Sequence, residues 1–264
     1  MLEALLRREN AVVAGALLAL IILAWLALLA GAGTGMSVLA MSGWWLPMSL
    51  PAGESWSWNA YYWSIAFVMW AVMMVAMMLP SAAPMILLYA RVIRRADAQA
   101  GTAEASLCIA AFTGGYLTLW ILFSALAVVI QFILERAGLM TIMMNSRSAA
   151  LSGVLLISAG VYQLTPLKSA CLKHCRSPAT YLAEHWRPGP VGAWCMGLGH
   201  GAYCVCCCAV LMLLLFVGGV MNLVWIAGLS LFVALEKLAP FGVGLARALS
   251  LVLIVGGSAL IVTA

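Results

Sequence analysis

Seven stretches of the chain, near residues 11–33, 60–88, 106–134, 149–166, 191–216, 220–236 and 244–263, are apolar over about the 20 residues a helix needs to cross a bilayer. Hydrocarbon offers no partner to backbone N–H and C=O groups, and a helix satisfies them within one segment. The expectation is therefore an all-α fold: a polytopic transmembrane helix bundle of about seven spans, forming one membrane domain over residues 1–264. Composition agrees, with 66% of residues hydrophobic and 8% charged, against about 25% charged in soluble domains. Pro80 and Pro84 interrupt the second stretch, where a kink or broken helix end is expected. The short connection Val217–Val220 predicts an antiparallel hairpin of the fifth and sixth stretches.

Charge sets an expected orientation. With the N-terminus in the cytoplasm, the inner segments hold Arg7, Arg8, Arg91, Arg94, Arg95, Lys168, Lys173, Arg176, Arg187 and Lys237, and Arg247 lies close to the same side. The outer loops hold only Arg136 and Arg147. Short inner loops are the ones that accumulate Lys and Arg, so the C-terminus is expected outside and the chain in a bacterial inner membrane. The outer loop Gly35–Asn59 has no Lys or Arg, and Trp44, Trp45, Trp56, Trp58, Tyr61, Tyr62 and Trp63 form an expected interfacial aromatic belt. The net charge of +5 is spread over these loops without a basic, aromatic-interleaved patch, which argues against nucleic acid as a partner.

The fifth stretch carries the candidate chemistry. At 100° per residue, Met196, His200, Cys204, Cys207 and Cys208 share about 120° of helix surface, while Cys195 and Cys206 face the other way. His200, Cys204 and Cys208 follow one another at i,i+4, a spacing that lets ligands one turn apart meet on one ion. Thiolate and imidazole favour copper(I), zinc or iron–sulfur chemistry, and a buried thiolate needs a cation to neutralise it. His200, Cys204, Cys207 and Cys208 are thus the expected metal ligands, with copper the expected metal and zinc or iron as alternatives. His200 and Cys207 are about 10 Å apart along an ideal helix axis, at the limit of sharing one ion. Two ions, a second helix, or backbone unwound at Gly197, Gly199 and Gly201 would resolve this.

Methionines add to the pattern. Met69, Met73 and Met77 form one row on the second stretch, with Met74 and Met78 beside it. Thioethers are soft, uncharged ligands suited to a copper(I) relay, and equally suited to filling gaps between helices. After the fourth stretch, Cys171, His174 and Cys175 mark a candidate exchange site at the cytoplasmic mouth, where thiols are expected to stay reduced. The same segment also reads as a basic amphipathic stretch lying on anionic lipid.

Several functions are argued against. Asp, Glu, Lys and Arg are expected to avoid the middle of every span, with Glu135 and Glu236 near ends, which argues against a carboxylate proton relay. The last stretch has no lysine for a retinal Schiff base, one histidine in a span cannot give bis-His haem, and no P-loop is present.

Several motifs resemble a family of uncharacterised bacterial integral membrane proteins described as predicted metal-binding. They are Met73-Met74-x-x-Met77-Met78-Leu-Pro80-Ser81-x-x-Pro84, Thr165-Pro166 through Cys171, His174, Cys175, Arg176 and Pro178, His185-Trp186-Arg187, and Met196-Gly197-x-x-His200-Gly201-x-Tyr203-Cys204. Gly219 to Asn222 and Glu236-Lys237 complete the match. Where the family pattern reads Cys-x-Gly-Cys-Cys-Trp, this chain has Cys206 for the glycine and Ala209 for the tryptophan. The resemblance implies metal binding and supplies no reaction.

The leading expectation is a soft-metal protein that transports copper(I) or delivers it to a cytoplasmic or periplasmic metal-handling protein or membrane complex. Two other functions fit the same residues. One is a membrane oxidoreductase acting on quinone, oxygen or a lipid-soluble substrate. The other is a metal-free assembly subunit packing through Gly114, Gly115, Gly256 and Gly257.

Overall fold

The computed structural model describes residues 2–31, 58–96, 102–140, 144 and 146–263, with side chains described from residue 11 except at 96 and 102. Trp44, Trp45 and Trp56 of the expected aromatic belt lie outside these residues, as does the end of the first apolar stretch. The chain is an all-α bundle of ten helices among the described residues: α1 (Leu2–Leu29), α2 (Ala60–Ala96), α3 (Thr102–Arg136), α4 (Ala149–Gln163), α5 (Pro166–Arg176), α6 (Pro178–His185), α7 (Gly189–Met212), the single turn α8 (Leu215–Gly218), α9 (Leu223–Leu238) and α10 (Gly242–Val262). Five of them, α1, α2, α3, α7 with its α8 extension, and α10, are long and apolar enough to cross a membrane. A sixth crossing is counted if α4 and α5, bent by 65° at their junction, make one broken span. The remaining apolar stretch, near 220–236, is the 16-residue α9.

Local signals set the helix ends. Ser148 caps α4 and Thr165 caps α5, each side chain accepting an N–H of the first turn, with Pro166 opening α5 where its missing N–H costs nothing. Gly219 turns the chain at φ +97°, and the Asn222 side chain then accepts from Val224 and Trp225 to start α9. The connection is as short as expected, yet α9 packs chiefly on α2 and α10 rather than on α7.

α2 runs without interruption through Pro80 and Pro84. Pro80 has no N–H to give the carbonyl one turn back, so the ladder loses a rung there. Hydroxyls gather on the neighbouring carbonyls: Ser81 (2.9 Å) and Tyr116 (3.1 Å) on Met78, and Ser230 (3.4 Å) on Met77. The expected break is thus a hydrogen-bonding locus that draws α3 and α9 to α2.

The closest packing is α3 on α7. A Cβ at Gly197 would strike the Phe112 backbone, and one at Gly115 would strike the backbone of Trp194 and Leu198. Small residues let helices approach to backbone contact where lipid gives no hydrophobic drive. Gly153, Gly160 and Gly257 do the same between α4 and α10, whereas Gly114 and Gly256 face open space. Of the described aromatics of the expected belt, Tyr61 is exposed, whereas Trp58 stacks edge-on with Tyr62, Trp63 and Phe132 and donates to Glu135 at 2.9 Å. Gly197→Ile is expected to cost about 2–3 kcal/mol or more, since no flexible side chain can yield, while Gly114→Ala is expected to be near neutral. Thermal unfolding in detergent checks both, and equal melting temperatures would contradict the backbone-contact account.

Candidate metal centre

The thiols of α7 meet inside the bundle. Cys204, Cys207 and Cys208 are all fully buried. Cys207 Sγ lies 3.3 Å from Cys208 Sγ and 3.2 Å from the Cys204 carbonyl. Cys175, at the end of α5, reaches in from the bent segment and places its Sγ 3.8 Å from Cys207, with Cys204 also in range. The thiol cluster is therefore built from two segments.

Two further elements close on Cys204. The Tyr116 hydroxyl of α3 is 3.1 Å from its sulfur and is held at the same time by the Met78 carbonyl of α2. Lys237 of α9 donates to Cys204 Sγ at 2.9 Å and to Ser81 Oγ at 3.2 Å. One residue earlier, Glu236 forms an ion pair of 2.6 Å with Lys168 of α5, both side chains almost wholly buried. Arg176 donates to the carbonyls of Glu236 (2.7 Å) and Ala239 (2.8 Å), satisfying the open C-terminal end of α9. The sequence expectation placed Glu236 near a span end and did not anticipate the burial of that end. Glu236 and Lys237 do sit at a helix end, but that end is buried against α2, α5 and α7.

His200 lies one turn before Cys204 on α7. It is buried in a box formed by Phe112, Tyr116 and Tyr181, with ring centroids 5.5–6.3 Å away. Its Nδ1 is buried and has no hydrogen-bond partner among the described residues. Tyr181 of α6 donates to the Met196 carbonyl at 2.7 Å. Burial, with Tyr203 beside it, pushes its phenol up to about 12, so it remains a donor through the physiological range. The other two histidines stack on the same tyrosines, His174 on Tyr203 at 4.2 Å and His185 on Tyr181 at 4.6 Å.

The three residues expected to form one exchange site are divided. Cys175 faces the thiol centre and His174 faces Tyr203, while Cys171 is joined in a disulfide to Cys206, with Cα atoms 6.2 Å apart. The expected reduced thiols are thus only partly present. α5 packs on α7 so that Cys171 meets Cys206 while Cys175, one turn on, reaches Cys207. Met69, Met73, Met74, Met77 and Met78 are all fully buried in the core, and Met196 lies at the α6 junction, where its sulfur accepts the Arg187 N–H at 3.3 Å.

The donor chemistry suits a soft cation, with four free thiols from two segments and an unpartnered imidazole nitrogen one turn from Cys204. Among the described residues, no three His, Cys, Asp or Glu side chains are already arranged to hold a metal ion. The geometry gives a reason: the ammonium of Lys237 and the phenol of Tyr116 occupy the approaches to Cys204, and Cys207 points at a carbonyl.

Comparison with known proteins now places the chain. Residues 67–260, which include Cys175, Cys204, Cys207, Cys208 and Lys237, match the PpoB2 family, described as "Copper chaperone", and the protein belongs to that family. No curated protein and no solved structure matches it.

Lysine 237 could not be found by looking for charges in mid-span. The usable signal was the adjacency Glu236-Lys237 at the end of an apolar run, with unmatched Lys168 and Arg176 upstream. Breaking the Lys168–Glu236 pair from one side, as in Lys168→Met, is expected to cost about 3–5 kcal/mol, because a carboxylate is left buried alone. The double variant Lys168→Met/Glu236→Gln is expected to recover most of that loss. Unfolding of the single and double variants checks this, and additive losses would contradict direct pairing.

Proposed function

We propose that the protein binds copper(I) through His200, Cys204, Cys207 and Cys208 and delivers it to a partner or moves it across the bacterial inner membrane, with the N-terminus in the cytoplasm and the C-terminus outside. The observation that carries this reading is the convergence of the Cys175, Cys204, Cys207 and Cys208 thiols beside a buried lysine, in a chain of a copper chaperone family.

Charge explains why the lysine belongs there. A copper(I) ion held by two thiolates carries one net negative charge, costly in a low-dielectric interior. The adjacent Lys237 ammonium brings the sum to zero. Copper would then displace Lys237 from direct contact with Cys204 without losing its compensating charge. Cys175 is the residue of the cytoplasmic segment placed to receive or release the ion, and His174 stands beside it. Cys171 and Cys206 become available as ligands only once the bond between them is reduced. The methionine rows of α2, together with Met196, offer thioethers along the interior for passage of the ion. The partner is a metal-handling protein on either side of the membrane or a membrane complex.

Protein purified anaerobically in detergent is expected to carry close to one copper per chain by mass spectrometry, lost in Cys204→Ser/Cys207→Ser. Lys237→Met is expected to weaken copper(I) binding by about tenfold or more in chelator competition, through loss of charge compensation. Copper retained at wild-type levels in the double serine variant would contradict the assignment. Zinc or iron in its place would keep the thiol site and replace the cargo.

A further inference from the structure

A second polar site lies apart from the thiols, on the other side of Glu236. Gln163, Lys168, Lys173, Arg176, Glu236 and Arg247 line a cavity of about 450 Å³ between α4, α5, α9 and α10. Its wall holds four cationic side chains against one carboxylate, and that carboxylate is already paired with Lys168. Arg176 is fixed by two carbonyls, while Lys173 and Arg247 stand at the exposed rim. Deeper in, Gln163 is only 6% exposed, and neither its amide oxygen nor its amide nitrogen has a hydrogen-bond partner. A buried amide without partners costs on the order of 1–3 kcal/mol, so the cavity is built as if something completes it.

We infer that this cavity is a binding site for a phosphate anion that also carries a hydroxyl, the headgroup chemistry of an anionic phospholipid such as phosphatidylglycerol. Lys173 and Arg247 meet the phosphate with charge-assisted hydrogen bonds. Gln163 completes the match, its N–H₂ donating to the ligand and its carbonyl accepting from the hydroxyl. Apolar Leu164 and Val243, 51% and 45% exposed, line the same cavity and give a glycerol backbone and acyl chains a surface to leave along. A free phosphate uses the same cations and leaves the apolar rim bare. The site shares Glu236 with the ion pair that holds α5 on α9, so a bound headgroup also braces the bent α4–α5 segment. None of this depends on the thiol centre taking copper.

Native mass spectrometry of the full chain, with phosphatidylglycerol, phosphatidylcholine or inorganic phosphate added to lipid-stripped protein in detergent, tests the site. Phosphatidylglycerol is expected to bind at least about tenfold more tightly than phosphatidylcholine. About tenfold is expected to be lost in Lys173→Ala/Arg247→Ala, and a clear part of it in Gln163→Leu. The rim pair is exposed, so those variants keep the fold, which circular dichroism verifies. Inorganic phosphate that binds and displaces the lipid assigns the site to phosphate from solution as well. Phosphate that fails to compete while the lipid binds assigns it to the membrane. Equal binding of both lipids, binding unchanged in the rim variant, or no binding of either phosphate ligand would overturn the inference.

Discussion

The contact of Lys237 with Cys204 is the constraint around which the interior is arranged. A charged amine removed from water needs strong partners, and this one finds a sulfur at 2.9 Å on α7 and a hydroxyl at 3.2 Å on α2. Satisfying it fixes α9 against both helices at a defined depth. Tyr116 then ties α3 to the same point through Cys204 and the Met78 carbonyl. Side chains of α3 and α9 meet the Cys204 thiol of α7 and are both anchored to α2, and the glycines at the α3–α7 crossing are what let Tyr116 come that close.

The polar groups around this point form a layered set rather than isolated pairs. Behind Lys237 lie Glu236 and Lys168, and behind them Arg176 closes the end of α9. On the far side the aromatic box of Phe112, Tyr116 and Tyr181 holds His200. The thiol centre thus has a cationic wall and an aromatic wall. The thiols therefore have charge on one side and a water-excluding aromatic surface on the other.

Much of this was legible in the residues. Apolar runs announced the helices, and the i,i+4 spacing of His200, Cys204 and Cys208 pointed to the helix on which three buried thiols stand together. Helical phase placed Cys206 on the opposite face, where it meets Cys171. What could not be read is tertiary. Lys237 and Glu236 looked like ordinary helix-end charges because one dimension does not tell whether an end meets lipid headgroups or another helix. The bend between α4 and α5 lays a stretch read as a basic amphipathic segment against α7 and brings Cys175 inward. Pro80 and Pro84 predicted a kink or a broken helix end, and the helix runs on through both, with tertiary hydrogen bonds on the nearby Met77 and Met78 carbonyls.

The most direct measurement is copper X-ray absorption on the anaerobically loaded, full-length protein, compared with Cys204→Ser. The account predicts a first shell dominated by sulfur in the wild type, with sulfur lost in the variant. A shell of nitrogen and oxygen, or a sulfur shell indifferent to Cys204, would contradict the claim that this lysine-backed thiol centre is where the protein holds copper.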